Sequence, residues 1–359
     1  MLEALGLSFL LFFFRLQLLF VSCGEPVLSQ NVTTMNFNTI LDNFSHAPVL
    51  FFFLGTLAVL VKSDLEIPPA ISKFLGIYLL FDIGIKGGEH LYESGFTLQV
   101  IIVMLVCVLA SFCFPFVTYF ILKQKFSNEN AGAVAAAYGS ISAVTFATAT
   151  SFLETQQVGF GGYMVAGMAL MESPAIIAGL IIINMNKKEG REENSSLNYS
   201  HIIKEAFFNG SVFLLIGSMF IGYMVGNSGK EELTPFVSDI FVGMLSLYML
   251  DMGLIAARRM RELQNNLGFA LLFGLIFPGV AAVVSIGICY TLGYSVGDAL
   301  LQTVLLASAS YIAVPAAMRL AVPEANMSIM LPMTLGITFT FNIALGIPTY
   351  YFAIQTLWA

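Results

Sequence analysis

Hydroxyl-bearing side chains interrupt two long apolar stretches of the sequence. One stretch runs from Ala131 to Glu154 and the other from Ala299 to Leu320, and both are long enough to cross a bilayer. Lipid cannot hydrogen-bond a loosened backbone or a row of hydroxyls, so such stretches are tolerated only where protein or water surrounds them. The residues we single out as substrate ligands are Ser140, Ser142 and Thr145 in the first stretch, with Ser308, Ser310 and Tyr311 in the second.

A pair of broken helices of this kind can bind a small anion. Half-helix N-termini present unpaired N–H groups and a positive dipole end, and nearby hydroxyls can donate to anion oxygens. Carbonyls at the opposite half-helix ends can hold Na⁺. No arginine lies within the spans to clamp a carboxylate, since Arg319 is at a span end, which favours a compact anion over a bulky organic acid. The alternative is that small residues and hydroxyls simply let ordinary helices pack closely.

Four ionisable residues also fall at membrane depth, where charge is costly and therefore suggests function. We predict a cation-binding or gating role for Asp82, Lys86, Glu172 and Asp251. Asp82 and Lys86 are four residues apart on one helix face, so a structural ion pair is the alternative there. Glu172 precedes Pro174, which frees a carbonyl in mid-helix, and its alternative is a hydrogen bond within that helix.

An enzyme is disfavoured by the same residues. Asp82 and Asp251 could form the aspartate pair of an intramembrane protease, but the Gly-x-Gly-Asp and Tyr-Asp contexts of such proteases are absent. The spans contain no Ser/His or Cys/His set, and the cysteines and histidines show no metal-ligand spacing. We expect no catalytic residues, no cofactor and no metal beyond a transported Na⁺.

Composition places the chain in a membrane. Hydrophobic residues make up 58% and charged residues 10% of the 359 residues, far from the roughly 25% charged residues of soluble domains. The net charge of -7 is scattered and there is no basic patch, which excludes nucleic acid as a partner.

Apolar runs after residue 46 predict ten membrane spans, numbered here as spans 1 to 10. They lie near 47–62, 67–86, 98–122, 131–153, 160–184, 206–226, 235–257, 267–291, 297–320 and 327–357. The polar segment 185–204 separates a first repeat, 44–184, from a second repeat, 205–357. We therefore predict an all-α polytopic membrane protein in which spans 4 and 9 are discontinuous.

The two halves share a sequence register. Asp82 and Asp251 match at an offset of 251 − 82 = 169 residues, and the same offset aligns Gly139 with Ser308. Five spans per half would invert the second repeat relative to the first. Lysine and arginine cluster after the odd-numbered spans, which predicts that both ends of the ten-span core face outward from the inner membrane.

Residues 1–34 contain a further apolar run that Arg15 interrupts. It lacks the positive charge that precedes the apolar core of a signal peptide. Three interpretations stay open: an extra helix, an atypical signal peptide, and an upstream extension of a protein that starts at Met35 rather than Met1. We favour the third.

Several motifs resemble the sodium-dependent bicarbonate transporter family. They are Ile67-Pro68, Lys86-Gly87-Gly88, Gly139-x-x-Ser142-x-x-Thr145, Glu172-x-Pro174-Ala175 and Pro323-x-Ala325-Asn326. The resemblance covers about residues 44–357. It implies two inverted five-helix repeats with core and gate domains, a homotrimer, and Na⁺/bicarbonate symport with the anion between the breaks of spans 4 and 9.

The sequence departs from this family in span 9. Cyanobacterial members carry an aspartate after the serine run, where this chain has Tyr311. An aspartate supplies charge for Na⁺, so two alternatives to bicarbonate import stay open. One is transport of another small anion or a carboxylate on the same scaffold, and the other is a membrane sensor that does not transport.

Overall fold

The computed structural model describes residues 46–95, 97–186, 210–260 and 267–359, and within these ranges all regular structure is helical. The N-terminal segment 1–34, the first two residues of the predicted first repeat and the loop after residue 186 lie outside the described residues. In chain order the helices are α1 (Ala47–Leu60), α2 (Pro69–Ser94), α3 (Leu98–Leu122), α4 (Asn128–Gly139), α5 (Ala143–Thr155), α6 (Tyr163–Met185), α7 (Gly210–Val237), α8 (Phe241–Met260), α9 (Leu267–Leu292), α10 (Val296–Ala307), α11 (Ala313–Ala321), α12 (Met327–Leu331) and α13 (Ile347–Trp358). Two π-helical segments, Pro332–Phe339 and Asn342–Gly346, lie between α12 and α13.

Six helical segments in the described ranges are long and apolar enough to cross a membrane. They are Leu98–Leu122, Asn128–Thr155, Tyr163–Met185, Leu233–Met260, Leu267–Leu292 and Met327–Trp358. Shorter apolar helices occupy Ala47–Leu60, Gly210–Gly226 and Val296–Ala307. The protein is therefore an α-helical, multi-pass membrane protein.

The predicted end of span 2 differs from the structure, whereas the predicted end of span 6 agrees with it. α2 continues to Ser94, beyond the expected end of span 2 at residue 86. Gly226 has the non-helical backbone angles φ 53° and ψ −142°, so the apolar helix Gly210–Gly226 ends at the residue expected for span 6. A second helical stretch follows this kink and reaches Val237.

Small residues bring helices of the two halves into close contact. α1 packs along α8, and α2 packs along α7. Gly55 faces the backbone of Leu250, and Gly253 in turn faces the backbone of Phe52. Any larger residue at either glycine would meet a backbone carbonyl, so these glycines set the approach of α1 to α8.

The chain breaks at both predicted places, between α4 and α5 and between α10 and α11. Within Asn128–Thr155, 94% of the residues in a continuous apolar window of 18 residues are buried. α4 and α10 are each 12 residues long, and each begins after a serine that caps its first turn, Ser127 and Ser295. The backbone conformations at the ends of α4 and α10 are also alike. Ser140 has φ −97° and ψ −177°, and Ser308 has φ −94° and ψ 178°.

The structural match corrects the register predicted at the breaks. Ser140 and Ser308 end corresponding half-helices, an offset of 308 − 140 = 168 residues rather than 169. Gly139 therefore does not correspond to Ser308.

Candidate functional site

The two breaks lie against each other in the protein interior. The N–H group of Ser142 donates to Oγ of Ser308 at 3.1 Å. In the other direction, the N–H group of Ser310 donates to the carbonyl of Ala137 at 2.8 Å. Ser140, Ser142, Ser308 and Ser310 are all buried. The structure therefore brings together residues that lie some 170 positions apart and that the sequence predicted as one site.

Ser308 joins the two breaks through its hydroxyl. Its Oγ donates to the carbonyl of Leu305 at 3.1 Å while accepting from Ser142. Ser310 and Ala137 make the corresponding contact directly, backbone to backbone. The hydroxyl proton of Ser308 is thus engaged by its own half-helix, which gives Ser308 a positioning role in this structure.

The N-terminus of α5 has a capping arrangement that orients hydroxyls. Ser142 is the N-cap, and its Oγ accepts from the N–H group of Thr145 at 3.1 Å and from the Thr145 hydroxyl at 2.8 Å. This cap satisfies one of the N–H groups that every helix start leaves open, while those of Ala143 and Val144 have no partner within the helix. Thr145 has therefore engaged its hydroxyl proton, and Ser142, accepting two bonds, can still donate its own.

Other hydroxyls at the breaks also remain able to donate. Within the described part of the chain, the Ser140 hydroxyl is buried without a hydrogen-bond partner. Ser310 Oγ accepts from the N–H group of Val314 at 3.3 Å, which leaves its proton for another acceptor. The Tyr311 hydroxyl faces Ser142 but forms no hydrogen bond of normal geometry with any described residue. Buried donors of this kind need an acceptor, and an oxyanion supplies one.

Backbone dipoles favour the same chemistry. α5 and α11 begin at the breaks, so their positive ends lie there, whereas α4 and α10 end there and contribute carbonyls. N–H groups and hydroxyl protons can surround an anion, while carbonyl oxygens can hold a hard cation beside it. The arrangement offers hydrogen-bond donors to a small anion and places carbonyl oxygens beside them.

Asn342 is a site residue that the sequence analysis missed. It is fully buried in the second π-helical segment, and its side-chain amide donates to the last carbonyl of α10, that of Ala307, at 2.8 Å. The Tyr350 hydroxyl donates to its side-chain oxygen at 2.9 Å. Asn342 thereby holds the end of α10 at the break. A polar residue inside an apolar span was the available signal, and π-helical segments are often found at functional sites.

The ionisable candidates fall at different places in the protein. Asp82 and Lys86 lie beside Glu154, in the last turn of α5 and so at the opposite end of that helix from Ser142. Asp251 of α8 accepts a hydrogen bond from the Ser72 hydroxyl of α2. These contacts place Asp82 and Asp251 on different helix pairs rather than in one aspartate pair.

Glu172 is buried within α6, which continues through Pro174 from Tyr163 to Met185. The adjacent carbonyl, that of Met171, accepts from the Ser111 hydroxyl of α3. The proline therefore leaves α6 continuous. Among the described residues, no group of three or more histidine, cysteine, aspartate or glutamate side chains is arranged to hold a metal ion.

These features define the class of the protein. A multi-pass helical membrane protein whose interior contains two contacting broken helices has the architecture used by secondary transporters. A family model described as the Na⁺-dependent bicarbonate transporter superfamily matches residues 47–355, and the chain belongs to this superfamily. The resemblance predicted from the sequence motifs is confirmed. A comparison with curated proteins gave no match.

Proposed function

We propose that the protein is a secondary transporter that imports bicarbonate together with Na⁺ by alternating access. Membership of the superfamily supports both the anion and the coupling ion. The observation that carries the proposal is the contact between the two breaks, where buried hydroxyls of Ser140, Ser142 and Ser310 retain protons to donate. Bicarbonate is compact and rich in acceptor oxygens, so it matches this set of donors. No cofactor or enzymatic step is required.

The architecture we propose is ten spans in two inverted repeats. Two symmetric contacts support it. The N–H group of Gly161, after α5, donates to Asp298 at the start of α10 at 2.7 Å. The N–H group of Asn326, after α11, donates to Asn130 at the start of α4 at 2.7 Å. Asn130 and Asp298 are separated by 298 − 130 = 168 residues, which is also the offset of the breaks. In each half, a backbone N–H group therefore donates to a side chain at the start of the broken helix of the other half.

The family likeness extends the proposal to assembly and placement. We expect a homotrimer in the inner membrane with both ends of the ten-span core facing outward. The pairing of α1 with α8 and of α2 with α7 supports a gate unit distinct from the helices that carry the breaks. Movement between two such units would expose the site alternately to the two sides.

The test is uptake of radiolabelled bicarbonate into proteoliposomes, with and without an inward Na⁺ gradient. We expect gradient-driven uptake in the wild type and its loss in the double variant Ser142→Ala with Ser310→Ala. Ser246→Ala is the matched control, because the Ser246 hydroxyl bonds back to Val242 in its own helix at 2.7 Å. Loss of uptake in the control as well would contradict the assignment of the site.

A second candidate function is transport of another small anion on the same scaffold. Tyr311 favours it, because a neutral phenol stands where cyanobacterial relatives carry an acid, and its hydroxyl adds a donor to the site. Absence of bicarbonate uptake together with Na⁺-driven uptake of another anion would establish it. A protein that binds the anion without accumulating it would instead be a sensor.

A further inference from the structure

A crevice between α2 and α5, separate from the crossing of the breaks, has the composition of a cation site. It is lined by Asp82, Lys86, Thr150 and Glu154 together with apolar residues. The crevice lies at the last turn of α5, where the negative end of the helix dipole and the last carbonyls favour positive charge. Two carboxylates and one ammonium leave it with a formal charge of −1.

The ammonium group in this crevice is held loosely. Lys86 Nζ lies 3.4 Å from Asp82 Oδ2 and 3.6 Å from Glu154 Oε1, both longer than a good charge-assisted hydrogen bond. It also lies over the ring of Phe241, 4.2 Å from the ring centroid. The ammonium is therefore shared between two carboxylates without a tight bond to either.

Asp82 supplies the second observation. Its side chain is fully buried, and within the described residues neither carboxylate oxygen has a hydrogen-bond partner. A buried carboxylate normally accepts several hydrogen bonds or binds a cation. The loose contact with Lys86 leaves most of this capacity open. Thr150 and the half-exposed Glu154 line the same crevice. The Thr150 hydroxyl donates its proton to the carbonyl of Ala147 at 2.9 Å, which leaves the lone pairs of its oxygen for a cation.

We propose that the crevice binds Na⁺ through the oxygens of Asp82, Thr150 and Glu154. The Lys86 ammonium competes with Na⁺ for these oxygens and moves away from them when Na⁺ binds. Carboxylate and hydroxyl oxygens are the ligands that hard cations prefer. The exchange keeps the local charge balanced, because Na⁺ replaces an ammonium of the same charge. The inference rests on the proposed function only in naming Na⁺ as the cation.

The test is Na⁺-dependent thermal stability of the full chain in detergent, with choline chloride keeping the ionic strength constant. The melting temperature of the wild type is expected to rise with Na⁺ concentration and to reach a plateau. Lys86→Gln should lower the half-saturating Na⁺ concentration about tenfold, because a competing charge is removed. Glu154→Gln should raise it about tenfold, because an attracting charge is lost.

Two further variants make the result specific. Thr150→Val removes a ligand oxygen with little change in volume and should weaken Na⁺ binding in a protein that still folds. Glu66→Gln is the charge-matched control, because Glu66 forms an exposed ion pair with Arg258 at 4.0 Å, outside the crevice. The proposal would be overturned if the half-saturating Na⁺ concentration were the same in Lys86→Gln and Glu154→Gln as in the wild type. It would also be overturned if the melting temperature of the wild type did not depend on Na⁺.

Bicarbonate uptake separates this inference from the proposed function. If the variants shift Na⁺ binding but the wild type imports no bicarbonate, the crevice is a Na⁺ site and the proposed substrate is wrong. If Na⁺-driven uptake is normal and has the same Na⁺ dependence in both charge variants, transport stands and the crevice is an ion pair alone.

Discussion

Replacing Ser308 by alanine should destabilise the protein more than replacing Ser310, although the two serines occupy similar places in one break. Ser308→Ala leaves two buried groups without partners, the N–H group of Ser142 and the carbonyl of Leu305. Each such group costs about 1–3 kcal/mol. The free energy of unfolding should therefore fall by about 2–4 kcal/mol, taking the lower half of that range because a break can relax.

Ser310→Ala has a smaller expected effect. It removes an acceptor from the N–H group of Val314, 3.3 Å away, which corresponds to about 0.5–1.5 kcal/mol. The bond from the Ser310 backbone to Ala137 does not depend on the side chain and is retained. At about 2 °C per kcal/mol, the melting temperature should drop by roughly 5 °C for Ser308→Ala and roughly 2 °C for Ser310→Ala.

The assay is a thermal melt in detergent at fixed protein concentration and scan rate, since membrane proteins often unfold irreversibly. Uptake kinetics should show the opposite order. Ser310→Ala should raise the KM for the anion more than Ser308→Ala, because the Ser310 hydroxyl proton is the one left to bind substrate. Equal melting temperatures, or a larger drop for Ser310→Ala, would refute the assignment of Ser308 as the bridge between the breaks.

Three other predictions concern packing and pH. Asn342→Ala leaves a buried carbonyl and a buried hydroxyl unpaired and should lower stability by about 2–4 kcal/mol, whereas Tyr350→Phe, which removes one bond, should lower it by about 1 kcal/mol; similar melting temperatures would contradict this. Gly253→Ala places a Cβ against the backbone of α1 and should cost about 1–3 kcal/mol, while Gly243→Ala, in open space on the same helix, should change little. Burial lowers the pKa of His46, at the start of α1, an effect that a nearby carboxylate partly opposes. The folded state then binds this proton less readily than the unfolded chain, so stability is lost as pH falls below about 6.5, and melting curves of His46→Gln should show a smaller loss.

Some of the fold could be predicted from the sequence because its determinants are local. Apolar runs of bilayer length predicted the helices, and serines within two of those runs predicted the breaks at Ser140–Ser142 and from Ser308 onward. The similarity of the two breaks was also visible in the sequence, at an offset of 169 residues where the half-helix ends differ by 308 − 140 = 168 residues. Lipid cannot hydrogen-bond backbone N–H and C=O groups, so a span is helical unless protein or water surrounds its backbone. A polar interruption in an apolar run is therefore a strong signal of a break in a helix.

The tertiary structure alone decided which of the predicted site residues have protons to donate. The sequence treats Ser142, Ser308 and Ser310 alike, whereas the structure engages the Ser308 proton with Leu305 and leaves those of Ser142 and Ser310 available. It also placed Asn342 at the end of α10, and it placed Glu154 beside Lys86. Most of these contacts join residues far apart in the chain, and a hydroxyl or carboxylate has the same local pattern whatever it faces. Its role is therefore decided by the packing of the helices rather than by the residues that surround it in sequence.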